Sequence, residues 1–344
     1  MAAFHYNFAI ICRVPNALKN RSVGSEHYAD GIDVEKAKQE YATVREVLKN
    51  CDINIIELVE DESYPDCCFV DDTAVVIGNT ALIARPGHSS RQGEVGEIRK
   101  VLKGDLRMNV VEIQNAKATL DGGDVLFTGK EIFVGVGKRT NEAGAQAVAE
   151  AFPEYAVSKV NFANCEALHL KDVFNMAGKN VMAVAPGADV QGVLRQMQDV
   201  ADYPYHVMQM DSRMGTDMLY TNGHLIHHVR QEMGDKSYGM LDQFIEPEIQ
   251  RVEVNMNQLN FEGRGITGLA LLIFKMETYL DTLDEKILGP RHHTQLTELA
   301  KVGGTISSLA ILIARTRNPK RIVSNIQDED LGYFTMWKRS DQMN

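Results

Sequence analysis

Five successive stretches of similar pattern constrain the fold of this chain more than any other feature. Up to residue 273, short runs rich in β-branched residues alternate with segments of helical periodicity. They form strand–helix–strand units of roughly 40–60 residues, the spacing that is typical of repeated supersecondary units. No linker rich in glycine, serine or proline divides these units. The pattern therefore predicts a closed α/β arrangement of five units rather than an open doubly wound sheet.

The first unit shows how the elements are assigned. The runs FAIICRV (8–14) and INIIELV (53–59) predict two strands around a helix that Asp33 caps. Gly78-Asn79 and Thr128-Gly129-Lys130 predict hairpin turns in later units. Further helices are predicted near 92–103, 188–202 and 236–245.

Residues 274–344 differ in character from the five units. An apolar stripe predicts a helix there; its members are Leu296, Leu299, Val302, Ile306, Leu309 and Ile313. The last residues, from Asn318, are mostly polar. We therefore expect two regions, an α/β domain at 1–273 and a helical C-terminal extension with a polar tail at 274–344.

Charge and composition exclude several classes of function. The net charge is -11 with scattered basic residues, which argues against nucleic-acid binding. The longest apolar runs fall far short of the roughly 20 residues of a membrane span. No basic segment precedes the first apolar run, and the five cysteines include no CxxC pair, so we expect a reduced cytoplasmic protein. Neither a cofactor nor a metal is expected, and homo-oligomer formation is left open.

Two histidine groups have spacings that occur in metal sites. They are HLIHH (224–228) and the pair His292-His293. No carboxylate cluster accompanies either group in the sequence, so a zinc site is not predicted.

The stretch DCCFVDD (66–72) concentrates three carboxylates on a segment with strand character. Like charges on a partly buried strand repel each other and lose solvation. Either the segment is a solvated edge, or a cationic ligand neutralises it. A planar guanidinium would suit, since its N–H groups match several carboxylate oxygens.

Three more features could complete a site. TLDGGDVLF (119–127) places paired glycines between aspartates, which is typical either of a tight turn or of close backbone approach to a ligand. His169 stands alone between leucines, as a core residue or as an acid–base group. Arg85, Arg91 and Arg139 are surface charges or partners for a substrate carboxylate.

Four longer segments carry a family resemblance. DESYPDCCFVDDTAVV, ALIARPGHSSR, NAKATLDGGDVLFTGKEIFVGVGKRTNEAGA and LHLKDVFNMAG are similar to dimethylarginine dimethylaminohydrolase of the guanidino-group-modifying superfamily. The resemblance runs colinearly from about residue 6 to 273. It implies a five-bladed α/β propeller, in agreement with the five units, and hydrolysis of N-methylated arginine to citrulline and a methylamine.

The resemblance also implies roles for individual residues. Asp66, Asp71 and Asp72 would hold the guanidinium, although the family often has glutamate where Asp71 stands. Arg91 and Arg139 would hold the α-carboxylate. Asp121 and His169 would form the acid–base pair, with His169 protonating the leaving amine.

The family's nucleophile is a cysteine, and this chain has none at the matching position. GITGLALLI (265–273) places Gly268 there, and the similar segment KVGGTISSLAILI (301–313) offers Ser308 as an alternative register. We favour Gly268, because the alternative needs a long insertion. Either register removes the thiolate that attacks the guanidinium.

Two functions remain open from the sequence. The first is an inactive or strongly impaired relative of the hydrolase, kept for binding arginine derivatives or, like a crystallin, for structure. The second is an active hydrolase with a relocated nucleophile, for which Cys68, Cys165 and Ser308 are the candidates.

Overall fold

The fold is built from five small sheets of three strands each. The computed structural model describes residues 3–20, 32–256 and 265–273, all within the first compact unit of the chain, Met1–Lys275. The predicted extension at 274–344 lies outside the described residues, and so do Ser308 and the histidine pair at 292–293.

All five sheets share one topology. A middle strand pairs antiparallel with an inner strand and parallel with an outer strand. The inner strands are β3 (Ala74–Ile77), β6 (Val125–Phe127), β9 (Phe174–Gly178), β12 (Met218–Thr221) and β15 (Leu271–Ile273). The middle strands are β1 (Phe8–Cys12), β4 (Thr80–Ile83), β7 (Ile132–Val136), β10 (Val181–Val184) and β13 (His224–His228). The outer strands are β2 (Asn54–Leu58), β5 (Asn109–Glu112), β8 (Val157–Asn161), β11 (His206–Gln209) and β14 (Gln250–Val254).

Helices connect the middle strand of each blade to its outer strand. They are α1 (Val34–Asn50), α2 (Val95–Lys100), α3 (Glu142–Ala151), α4 (Ala188–Val200), and the pair α6 (Arg230–Met233) and α7 (Asp235–Phe244). Two further short helices, α5 (Arg213–Thr216) and α8 (Gly265–Gly268), precede inner strands. Asp33 caps α1 by accepting from the N–H of Lys36, as predicted.

The chain closes its own ring. The strand β15, last among the described strands, pairs antiparallel with β1 near the start, so that Leu272 lies opposite Ala9. The first sheet therefore takes its inner strand from the end of the domain. This closure joins sequence-distant segments into one blade, and it confirms the five-bladed α/β architecture.

The inner strands surround a central cavity of about 150 Å³. Residues of β3, β6, β9, β12 and β15 all line it, with Asp71 and Lys171 among the polar groups. Apolar layers between strands and helices form the rest of the core, with Phe133, Phe152, Phe162 and Phe174 fully buried. Within the described ranges, no helix is long and apolar enough to cross a bilayer.

Some predicted boundaries were wrong. The predicted strand through Cys68 to Asp72 begins only at Ala74, and Val70–Thr73 forms a 3-10 turn instead. The predicted helix at 92–103 is α2 followed by a π-helical segment, Val101–Asp105.

In the fifth blade, Asn222 and Gly223 both have positive φ, and this left-handed backbone forms the tight β12–β13 turn.

Candidate active site

A short helical turn precedes each inner strand, and these five turns build the site. They are Val70–Thr73, Gly122–Asp124, Leu170–Asp172, α5 and α8. The first turn contacts both the second turn and α8, and the second contacts the third. The ring of turns therefore brings together segments that are about 50 residues apart in the sequence.

Carboxylates join one turn to the next. Asp72 Oδ1 accepts the N–H of Gly123 at 2.9 Å, and Asp124 Oδ1 accepts the N–H of Leu170 at 3.1 Å. Such bonds satisfy backbone donors that a one-turn helix cannot satisfy itself. The acidic residues of this ring thus hold the blades together as well as forming a site.

His169 lies between Asp72 and Asp121, and we call these three residues the acid–base group after the role that the resemblance implies for Asp121 and His169. Its Nε2 is 2.9 Å from Asp121 Oδ2 and 3.6 Å from Asp72 Oδ1, and the side chain is only 2% exposed. Its backbone N–H donates to Asp172 Oδ2 at 2.7 Å. A buried imidazole between carboxylates can donate and accept a proton in place, which is what acid–base catalysis requires.

Asp121 is held by the neighbouring loop. Its Oδ1 accepts the N–H of Gly87 at 2.7 Å, and its backbone N–H donates to the Thr140 hydroxyl at 3.1 Å. The loop can approach this closely because residue 87 is glycine. A Cβ there would lie 2.3 Å from the carbonyl oxygen of Arg139.

Arg91 is bound by the protein's own acidic groups. Its guanidinium donates to Asp72 Oδ2, to Glu94 Oε2 at 2.7 Å and to the carbonyl of Phe69 at 2.9 Å. Burial alone lowers the pKa of Arg91, but Glu94 and Asp72 outweigh it and raise the pKa well above its ordinary value. The guanidinium is thus bound within the protein, and the predicted role of Arg91 toward a substrate carboxylate stays a prediction.

Arg139 is in a different situation. The side chain is half-buried, and it makes no hydrogen bond or ion pair with the described residues. Its backbone lies against Gly87, whose N–H binds Asp121. Of the two arginines expected to hold a carboxylate, Arg139 has the side chain that is available beside the acid–base group.

The three aspartates of 66–72 do not share one direction. Asp72 is completely buried and faces Arg91 and His169, whereas Asp71 Oδ2 is 3.1 Å from Lys171 Nζ at the central cavity. Asp66 is buried, and its carbonyl accepts from Arg91 at 3.3 Å. The strand character predicted for this stretch is wrong. Because Val70–Thr73 forms a turn, the neighbouring carboxylates of Asp71 and Asp72 point to different cations.

The position predicted for the nucleophile lies in α8. Gly268 is buried at the end of this turn, directly before β15, and α8 contacts both Val70–Thr73 and β12. We call α8 the closing turn, because it precedes the strand that closes the ring. Its last residue has no side chain to offer to the site.

Several residues of the site were missed in the sequence. Asp124 and Asp172 each stand three residues after Asp121 and His169, and Glu94 stands three residues after Arg91. This spacing is that of a capping box, which His169 and Asp172 in fact form. Burial raises the pKa of Asp124 to about 7, although His169 and Thr140 act in the opposite direction.

Asp72, Asp121 and His169 also have the geometry of a metal-ligand set. One ligand atom from each lies within 4.8 Å of the others. Against this, the Arg91 cation is bound directly to Asp72, and a fixed positive charge beside a ligand opposes a divalent cation. The cluster fits a proton-transfer site better than a metal site.

The comparisons with known proteins agree with this architecture. The family model described as N,N dimethylarginine dimethylhydrolase, eukaryotic, matches residues 15–199, more than half of the chain. The DDAH2 protein of Homo sapiens is 32% identical over 273 residues, covering 77% of this chain and 93% of that protein. The N(G),N(G)-dimethylarginine dimethylaminohydrolase of Streptomyces coelicolor is 35% identical over 148 residues, covering 43% of this chain and 57% of the relative.

Solved structures show the same fold. A mutant of dimethylarginine dimethylaminohydrolase from Pseudomonas aeruginosa, complexed with citrulline, superposes with a TM-score of 0.67 at 22% identity, covering 78% of this chain and 100% of that one. The substrate-bound N-terminal domain of the cyanobacterial arginine dihydrolase ArgZ gives 0.64 at 16% identity, covering 78% and 98%. By the family model and the sequence relatives, this chain belongs to the eukaryotic N,N-dimethylarginine dimethylhydrolase family.

Proposed function

We propose that this protein binds an arginine derivative in the site around His169 and turns it over very slowly or not at all. The observation that carries the proposal is the contrast between two parts of one site. The acid–base group is assembled, with His169 at 2.9 Å from Asp121, whereas Gly268 stands where the resemblance places the nucleophile. Glycine has no group that can form the covalent intermediate.

The charge of the site supports a cationic ligand. The turns bring Asp66, Asp71, Asp72 and Asp121 into buried positions, against the cations of Arg91 and Lys171. Removing this many carboxylates from water is costly unless positive charge compensates them. A guanidinium would supply that charge, and Arg139 has a side chain available for the α-carboxylate of the same ligand.

The alternative function is a hydrolase that uses another cysteine. The assembled acid–base pair supports it, and the relatives include dimethylarginine dimethylaminohydrolases. Against it, Cys165 Sγ hydrogen-bonds Asp189 at 3.3 Å, and burial raises the pKa of this thiol to about 11. Cys68 is fully buried in an apolar cluster that includes Ile226 and Leu269. Neither environment favours a thiolate.

Two measurements on the full chain test the proposal. Calorimetry with arginine and asymmetric dimethylarginine should detect binding. Asp72→Asn should weaken this binding, because the ligand's guanidinium loses a carboxylate partner. Glu97→Gln, at an exposed carboxylate paired with Lys100, is the matched control and should leave affinity unchanged.

A citrulline assay on the same preparation separates the candidates. Release of citrulline from asymmetric dimethylarginine at an enzymatic rate would overturn the proposal in favour of the hydrolase. Absence of binding together with absence of turnover would instead leave a structural, crystallin-like role.

A further inference from the structure

A buried chain of charged groups lies beside the closing turn. His228 Nε2 is 2.8 Å from Asp217 Oδ2, and His228 Nδ1 is 2.8 Å from Glu232 Oε2. Both His228 and Asp217 are completely buried. His228 is the last histidine of HLIHH, so the motif that suggested metal spacing supplies an ion pair to the fifth blade.

The geometry makes His228 a cation. Each ring nitrogen faces a carboxylate oxygen, so both nitrogens must donate, which only the imidazolium can do. Burial by itself lowers the pKa of His228, but the hydrogen bonds and charges of Asp217 and Glu232 prevail and raise the pKa to about 9. Glu232 also accepts the N–H of Met256 at 3.2 Å, which ties the group to the chain after β14.

The carboxylate of Asp217 also accepts hydrogen bonds from the closing turn. Its Oδ2 accepts the N–H of Ile266 at 2.9 Å, and its Oδ1 accepts the N–H and the hydroxyl of Thr267, each at 3.2 Å. A four-residue helix cannot satisfy these donors internally, so a carboxylate from another blade does so. The same turn packs against Val70–Thr73, which carries Asp71 and Asp72.

We infer that Asp217 is a positioning residue for the candidate site, and that His228 and Glu232 orient its carboxylate to hold the closing turn against the Asp71–Asp72 turn. The imidazolium occupies one carboxylate oxygen of Asp217 and compensates its charge, so the carboxylate is held in the orientation that receives Ile266 and Thr267. The effect on ligand binding rests on the proposed function; the effect on the closing turn does not.

The test is amide hydrogen exchange on the full chain, followed residue by residue by NMR. In Asp217→Asn, the amides of Ile266 and Thr267 should exchange roughly 10- to 100-fold faster, the factor expected when hydrogen bonds to a charged group are lost. Amides of β6 and β9, which belong to other blades, should keep their rates. His228→Gln should change the closing turn in the same direction.

A matched control is Glu131→Gln. Glu131 is also a fully buried carboxylate that accepts a backbone N–H from a neighbouring blade, that of Asp202 at 3.1 Å, and it also binds the Tyr205 hydroxyl at 2.6 Å. Glu131→Gln should leave the amides of Ile266 and Thr267 protected from exchange. If Asp217→Asn does not fold, Thr267→Val removes one donor only and should speed exchange of the closing turn by roughly 3- to 10-fold.

The outcomes separate this inference from the proposed function. Unchanged exchange at Ile266 and Thr267 in Asp217→Asn, or in Thr267→Val where that variant replaces it, would overturn the positioning role, whatever the binding data show. Faster exchange with no arginine binding by the natural protein would sustain the positioning role and refute the proposed ligand. Faster exchange with weaker arginine binding in Asp217→Asn, but not in Glu131→Gln, would support both.

Discussion

The acid–base group and the closing turn are two halves of one candidate site, and they differ in what keeps their residues in place. His169 hydrogen-bonds Asp121, and Asp72 forms an ion pair with Arg91. Asp72 and Asp121 each also accept a backbone N–H from a neighbouring segment. Gly268 makes no comparable side-chain contribution, and Asp217 holds its turn from outside. The side chains of the acid–base group therefore stabilise the ring of blades even if the protein catalyses no reaction.

This difference changes how an intact acid–base group is interpreted. From the sequence alone, this group fits both an inactive relative of the hydrolase and an active hydrolase with a relocated nucleophile. In the structure, Asp72 and Asp124 bond the turns of adjacent blades, so these acidic residues stabilise the fold whether or not a reaction takes place. Gly268, in contrast, contributes no side chain to the contacts between the turns.

The largest expected effect comes from placing a thiol at position 268. Gly268→Cys should raise citrulline release from asymmetric dimethylarginine by about 10^2-fold or more, a fraction of the ~10^6-fold that a covalent nucleophile contributes in a serine protease. Gly268→Ser is the control, since a hydroxyl without a strong base should stay near the starting rate. A silent Gly268→Cys protein that binds arginine normally would show that the register is wrong.

The next effect concerns the buried cation of the acid–base group. Arg91→Met leaves Asp72 and Glu94 buried without their partner, which should lower the free energy of unfolding by about 3–5 kcal/mol. Arg99→Met breaks an exposed pair with Glu112 and should cost less than about 1 kcal/mol. Urea denaturation at pH 7 measures both, and equal losses would contradict the structural role of Arg91.

The free energy of unfolding should depend on pH through the ion pair of His228 beside the closing turn. The pKa of His228 is raised from 6.5 to about 9, so its contribution is complete below pH 6.5 and is lost as the pH rises through 9. The loss should be roughly 3 kcal/mol at most. His228→Gln should flatten the dependence of the urea midpoint between pH 6 and 9, and an identical slope in both proteins would refute this source.

The smallest effect tests the close contact between two turns. A Cβ on Gly122 would lie 1.9 Å from the carbonyl oxygen of Asp71, so Gly122→Ala must push apart the turns that carry Asp72 and Asp121. We expect a loss of about 1–3 kcal/mol in thermal or urea unfolding. Gly96→Ala is the matched control, since a Cβ there meets nothing within 4 Å and should be neutral or slightly stabilising. Equal stability of the two variants would argue against this packing.

The sequence predicted the repeated units well and the interior of the site less well. The strands around Gly78 and Thr128 and the capped helix after Asp33 depend on neighbouring residues, so local pattern was enough to find them. The turn at Val70–Thr73 was mistaken for a strand because CFVDD has the composition of one. Its helical turn is favoured by the bond between Asp72 and Gly123, a residue of the next blade.

For the same reason, the sequence does not predict which carboxylates pair with Arg91 and Lys171. The sequence offers many cations to the aspartates of 66–72, and nothing local says that Arg91 takes Asp72 while Lys171 takes Asp71. The predicted role of Arg91 toward a ligand carboxylate therefore remains a proposal, with its guanidinium held by Asp72 and Glu94.

Short-range periodicity depends on neighbouring residues, and it was enough to predict five α/β units. The family resemblance adds the prediction that Gly268 stands at the position of the nucleophile. The pairing of buried polar groups, in contrast, depends on the closed ring. Asp121 and His169 are 48 residues apart in sequence, and Asp217 and Ile266 are 49 apart. Burial makes such pairs costly to break, because the partner left behind would be buried without water or a hydrogen bond. The closure of the ring by β15 against β1 likewise brings the closing turn against Val70–Thr73, a contact that no local pattern in the sequence predicts.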